Sequence, residues 1–153
     1  MGKMVSIVIP VYNEEESLKL LYEKIIENIP EQYEREIIFV NDGSTDKSVE
    51  VIKKLIMQDT QVHLISFRKN FGKAMALETA FRNAKGDIII TMDADLQDDI
   101  NVIDKFIDNT RISGVAIRFD VCFCFLILVL KELRTKSVGK YINNLSHIII
   151  LYQ

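Results

Sequence analysis

Four carboxylates close the segment DIIITMDADLQDD, at Asp93, Asp95, Asp98 and Asp99, directly after an apolar run. Two carboxylates at i and i+2 on an irregular turn can approach one hard cation together. Mg2+ and Mn2+ take oxygen ligands of this kind, with phosphate oxygens and water completing the shell. An empty acidic pair beside a buried strand repels itself, so a bound cation is the expectation for Asp93 and Asp95. Asp98 and Asp99 suit the first turn of a following helix, where acidic groups meet the positive end of its dipole. Capping is the simpler reading for those two.

Three further polar segments follow apolar runs: YNEEE, NDGSTD and FRKNFGK. In the first, Tyr12 can line a base and Glu14 can accept from a ribose hydroxyl; equally, Asn13 can cap a helix while Tyr12 packs. In the second, Gly43, Ser44, Thr45 and Asp46 are accounted for by a turn and a helix cap. Asp42 is not needed for either, and at a strand tip its carboxylate can accept from a nucleobase N–H. In the third, Arg68, Lys69 and Lys73 surround Gly72 and can pair with phosphate, although a solvated basic loop explains the same composition. His63 and His147 have no neighbour that points to a metal or a triad, and a core or surface position suffices for them. Neither Gly-x-Gly-x-x-Gly nor Gly-x-x-x-x-Gly-Lys-Ser/Thr occurs, so neither glycine-rich phosphate loop is supported.

These loops need a frame that brings them together. MVSIVIPV, EIIFVN (Glu36–Asn41), VHLISF (Val62–Phe67) and DIIIT read as strands. Between them, Glu14 to Ile29, a segment capped by Ser44 or Thr45, and a segment from Gly72 to Ala84 keep helical spacing. Ile100, Ile103, Phe106 and Ile107 suggest one more helix. Strands alternating with helices imply βαβ crossovers and a mostly parallel sheet, and strands this uniformly apolar are buried on both faces. In such a sheet ligands bind beyond the carboxyl ends of the strands. That rule gathers all four polar segments at one edge. Past residue 108 the pattern weakens: a strand at Gly114–Phe119 and a buried element at Val121–Leu130 are the only elements expected.

The bulk properties exclude little but agree. A chain of 153 residues is about one domain. Its net charge of −3 offers no basic field for nucleic acid, and nucleic acid is not an expected partner. Cys122 and Cys124 read as reduced residues in a cytosolic protein. No apolar run reaches the roughly 18 residues that a membrane helix requires.

With these residues assembled, the sequence resembles the family-2 glycosyltransferases of GT-A fold, above all the branch that charges polyprenyl phosphates. The motifs that carry the resemblance are SIVIPVYNEEESL, FVNDGSTDKS, RKNFGKAMALETAF and GDIIITMDADLQDD, in that order, over about residues 4–107. The resemblance implies a Rossmann-like α/β nucleotide-sugar-binding domain at 1–108; the segment at 109–153 is atypical, and completing the sheet is one role open to it. The resemblance also implies that Pro10, Tyr12 and Glu14 border the nucleotide, Asp42 the base, and Asn70, Gly72 and Lys73 the phosphates. Asp93 would place the ribose or sugar and share the cation, while Asp95 would hold Mg2+ or Mn2+ against the diphosphate. Both aspartates are expected to be catalytic in that sense. The DLQD wording favours a UDP-sugar over a GDP-sugar.

A polyprenyl phosphate acceptor is already anionic and needs little help from a general base, and none is evident. Such work belongs to cell wall biogenesis, in the cytoplasm or at the inner face of the cell membrane. The apolar tail suggests self-association or membrane association. Ile100 stands where the family commonly has proline. The family pattern ends at Asp108, so the tail reads as truncated or frame-altered and transfer by this chain is expected to be weak. The alternative is a catalytically inactive nucleotide-sugar-binding fragment that acts through association. A sugar-phosphate nucleotidyltransferase would want a glycine-rich loop where PVYNEEES stands, and a phosphoacceptor receiver domain would want an acidic pair there.

Overall fold

The computed structural model describes residues 4–96, residue 103 and residues 149–152. Strand β1 (Met4–Val11) is an apolar run with side chains buried on both faces, as only a central strand can be. It pairs in parallel with β2 (Glu34–Asn41) on one side and β4 (Ile88–Thr91) on the other, so that Ile7 lies between Ile37 and Ile90. Strand β3 (Val62–Ser66) adds to β2 in parallel, and β5 (Ile149–Tyr152) adds to β4 antiparallel. The order is β3-β2-β1-β4-β5.

Alternation along the strands sorts the core into two layers. Val5, Ile7, Ile9, Ile37, Phe39, Ile88 and Ile90 face one way. They meet Leu18, Leu21 and Ile25 of helix α1 (Leu18–Asn28), and Ile52 and Leu55 of α2 (Ser48–Gln58). Ile103 is buried in the same layer. On the other face Val8, Ile38, Val40 and Ile89 meet Ala76, Leu77 and Ala80 of α3 (Lys73–Asn83). The two alanines let that helix lie close to the sheet. Each fully buried leucine or isoleucine contributes about 1.5–3 kcal/mol, so the two layers together supply the main driving force.

The elements fall where the periodicities predict, with shifted ends. Helix α1 starts at Leu18 rather than Glu14, and α2 at Ser48, beyond the expected caps Ser44 and Thr45. Ser48 N–H instead donates to Asp46 Oδ1 at 3.0 Å. The helix at 100–107 (Ile103 apart), the strand at Gly114–Phe119, the element at Val121–Leu130, and His147, Cys122, Cys124, Asp98 and Asp99 lie outside the described residues.

Two polar clusters brace the edge away from those loops. Glu36, only 1% exposed, accepts from Ser6 Oγ at 2.5 Å and from Lys85 N–H at 2.6 Å. Ser6 Oγ in turn accepts from Gly86 N–H at 2.8 Å. A buried carboxylate is tolerated because fixed donors surround it. His63 is exposed, with Nε2 3.9 Å from Glu36 Oε2. The second cluster centres on Asp59, which ends α2 and accepts from Tyr22 Oη, Arg35 Nη2 and Gln61 N–H. Burial works to raise its pKa, but these hydrogen bonds and the Arg35 charge outweigh it and hold the carboxyl below its ordinary value.

Candidate functional site

At the carboxyl ends of the strands the chain leaves the sheet in loops that are tied to one another as well as within themselves. After β1, Asn13 adopts a left-handed conformation (φ 58°). Its Oδ1 accepts from Thr45 N–H at 2.8 Å, and its own N–H donates to Ser44 Oγ at 3.0 Å. Glu14 N–H donates to Ser48 Oγ, and Glu15 N–H to Asp46 Oδ2. Burial pushes Asp46 up, but hydrogen bonds from Ser48 and from the Glu15 N–H prevail and lower its pKa. The loops after β1 and β2 therefore form one unit, and Asn13 serves it from a left-handed turn rather than as a local helix cap. That unit presents Tyr12, half exposed, and Glu14 on the same side.

Asp42 is nearly buried, and both of its carboxylate oxygens are engaged. Oδ1 accepts from Phe71 N–H at 2.7 Å and Oδ2 from Gly72 N–H at 2.9 Å. Gly43 explains how the two loops come so close. Its φ is 74°, and a Cβ there would stand 2.6 Å from Asn70 N and closer still to the Lys69 carbonyl carbon. Only glycine suits both the conformation and the space. Asp42 thus shapes the loop at 70–72, a function invisible when its strand tip is read alone.

Helix α3 begins at Lys73, straight after Gly72, whose φ is 93°. The Lys73 ammonium reaches across to the loop after β4 and contacts both Asp93 oxygens, at 2.5 Å to Oδ1 and 2.7 Å to Oδ2. Asp95 is exposed beside it, and Leu96 follows with a positive φ of 62°.

Pro10, Tyr12, Glu14, Asp42, Asn70, Gly72, Lys73, Asp93 and Asp95 all line one cleft of about 290 Å³, joined by Val11 and Ala94. The nine residues that the resemblance assigns to nucleotide, phosphate or cation are therefore in one place. The two additional lining residues are apolar neighbours within the same motifs, with no chemical signature to mark them. Arg68 and Lys69 are exposed and do not line the cleft; Lys69 Nζ instead stands 5.0 Å from the Phe71 ring centroid. Of the basic loop only Lys73 turns inward.

The cleft's donor set suits a hard cation only in part. Among the described residues no three or more His, Cys, Asp or Glu side chains stand in an arrangement that could by itself hold a metal ion. Two carboxylates, Asp93 and Asp95, are nonetheless a set that Mg2+ or Mn2+ accepts when phosphate oxygens and water supply the rest. The residues fit a cation that arrives with its phosphate ligand.

The four parallel strands in this order, with helices on both faces and a polar cleft at their carboxyl ends, make a Rossmann-like α/β fold of the GT-A type. The family model described as glycosyl transferase family 2 matches residues 6–123, beyond the Asp108 at which the recognisable motifs stop. A prophage bactoprenol glucosyl transferase homolog of Escherichia coli K12 is 44% identical over 105 residues, which are 68% of this chain and 34% of that one. Among solved structures, the mannosyltransferase PcManGT of Pyrobaculum calidifontis, in complex with GDP-Man and Mn2+, superposes with a TM-score of 0.65 at 22% identity. It covers 84% of this chain and 39% of its own. TarS 1-349 of S. aureus in complex with UDP-GlcNAc gives 0.63 at 19% identity, over 76% and 34%. These two likenesses concern the fold. The chain belongs to glycosyl transferase family 2, and it spans about a third of the length of the curated relatives it matches. Among the described residues no helix is long and apolar enough to cross a membrane.

Proposed function

We propose that this chain carries the donor site of a transferase that moves a sugar from UDP to a polyprenyl phosphate at the inner face of the membrane. The observation that carries the reading is the gathering of all nine singled-out residues around one cleft at the carboxyl edge of the sheet. The relative named as a bactoprenol glucosyl transferase homolog favours glucose and a polyprenyl acceptor. The UDP-GlcNAc complex of a fold neighbour favours uridine.

Each side chain then has a task. Tyr12 offers its exposed ring to the base, Glu14 accepts from a ribose hydroxyl, and Pro10 shapes the floor. Asp42 has both oxygens committed to the loop at 70–72, and a further lone pair of either oxygen can meet a nucleobase N–H. Asn70, Gly72 and Lys73 face the diphosphate, Asp93 orients the ribose or sugar, and Asp95 holds Mg2+ or Mn2+. Charge favours a cation here. The lining has four carboxylates and one ammonium, and a diphosphate added to that excess of negative charge would be repelled. A bound divalent cation supplies the missing positive charge and stabilises the diphosphate as it leaves. In transfer, an acceptor phosphate oxygen forms the new bond to the anomeric carbon as the bond from that carbon to the diphosphate breaks. The nucleotide-sugar unit is assigned to 1–108. The segment 109–153 is assigned to completing the sheet, which the pairing of β5 on β4 supports.

Calorimetric titration of UDP and of GDP, each with Mn2+ or with EDTA, tests the donor site. UDP should bind more tightly than GDP and at least tenfold more weakly in EDTA. Equal UDP affinity in EDTA removes the cation from the reading. Transfer of labelled sugar to a short polyprenyl phosphate tests the rest, and binding without transfer would mean a nucleotide-sugar-binding unit only.

A further inference from the structure

Resting on that reading, we propose that Lys73 is an exchangeable counter-ion: it closes Asp93 to metal while the cleft lacks nucleotide, and moves to the diphosphate when the nucleotide enters. Three features of the cleft lead there. The ammonium touches both oxygens of Asp93, so it occupies the directions from which a cation would approach that carboxylate. Both side chains are about one third exposed, so the pair is neither locked by packing nor sealed from phosphate. Lys73 also sits at the first turn of α3, straight after Gly72, on a flexible stem that can swing without moving the backbone. Glu36 and Asp59, by contrast, are each held by several donors from different segments of the framework. At Asp93 a flexible ammonium spans both carboxylate oxygens.

The consequence is an order of binding. A divalent cation alone must displace Lys73 from Asp93 without bringing a new anion for the ammonium. A nucleoside diphosphate is such an anion, since its oxygens accept the ammonium and complete the cation's shell at the same moment. Cation and diphosphate should therefore bind with positive coupling, and Lys73 carries that coupling. The size expected is at least fivefold, the low end for coupled sites.

The test uses the full chain with Lys73→Met and Lys73→Arg, titrated with Mn2+ alone, with UDP in EDTA, and with both. For Lys73→Met, Mn2+ alone should bind at least about fivefold more tightly than to the wild type, while UDP in EDTA binds at least about fivefold more weakly. Lys73→Arg, which keeps the charge, should stay near the wild type with Mn2+ alone. A merely structural lysine would weaken both ligands together. Unchanged Mn2+ affinity in Lys73→Met overturns the counter-ion role while leaving the donor site standing. Unchanged UDP affinity overturns the movement to phosphate. If Mn2+ binds neither protein, with or without UDP, the cation site itself is wrong and the inference falls with it.

Discussion

At one edge of the sheet Glu36 is almost fully buried, and its carboxylate accepts from a backbone N–H and a hydroxyl that is itself held in place. At the other edge Asp93 is open to solvent on one side and faces a lysine at the end of a flexible stem. Both are carboxylates beside the same parallel strands. The first is satisfied by groups that cannot leave, whereas the second counts among its partners a group that can. A polar side chain with rigid partners contributes specificity and stability to the fold, whereas one with a mobile partner is available for exchange with a ligand. The contrast separates framework from site without reference to any relative.

The largest expected effect lies at the framework edge. Glu36→Ala removes the acceptor for both Ser6 Oγ, which is buried, and Lys85 N–H, which is part buried, at about 1–3 kcal/mol for the first and less for the second. Urea unfolding should show a loss of about 2–3 kcal/mol, with UDP affinity of the folded fraction unchanged. A small loss would mean that water replaces the carboxylate and that the two edges differ less than they look.

Asp42→Ala comes next and tests where the two plans meet. It frees Phe71 and Gly72 N–H groups that are only part buried, so about 1–2 kcal/mol of stability should go. Hydrogen exchange should quicken at these two amides, and UDP should bind more weakly through the loosened loop. Intact protection at Phe71 and Gly72 with weakened UDP would leave a nucleobase contact alone. At the site edge, Asp95→Asn should change stability by less than about 0.5 kcal/mol, as for an exposed position, while removing most of the Mn2+ dependence of UDP binding. Calorimetry in Mn2+ and in EDTA would read both.

The smallest effect concerns pH and Asp59. Its folded pKa is lowered from 3.8, so its contribution is present above that value and is lost as the pH falls through the lower folded value. The stability difference between wild type and Asp59→Asn, on the order of 1 kcal/mol near neutrality, should shrink as the pH drops below about 4 and be steady above 5. Unfolding midpoints across that range would show it.

Much of the frame was legible because burial writes itself into sequence. Strands β1 to β4 are apolar runs bounded by polar loops, and α1 to α3 keep their apolar faces, so the alternation of elements and a mostly parallel sheet followed from pattern alone, whereas the order of strands and the face each helix covers did not. Helix starts were less legible: Asn13, Ser44 and Thr45 carry capping chemistry, but they use it across loops, and such partners have no sequence spacing. The members of the site were legible because strand ends converge in a parallel sheet. Their contacts were not. The expectation that Asp93 and Asp95 would stand as an unrelieved acidic pair overlooked Lys73, twenty positions upstream, which the fold sets against Asp93. Glu36 left a signal, a carboxylate beginning an apolar strand, but its partners Ser6, Lys85 and Gly86 come from segments that only the sheet brings together.

The position of β1 between β2 and β4 has a consequence in time. Met4 N–H donates to the Asp87 carboxylate across 83 positions of chain. A ribosome adding about 5–20 residues per second leaves β1 waiting roughly 4–17 s for its second neighbour. During that interval one flank of the central strand is an unpaired, apolar edge of the kind that recruits other chains. Asp93 and Asp95 emerge behind β4, so the cleft is complete only after that flank has closed. No ligand of the cleft can shelter the nascent sheet before then.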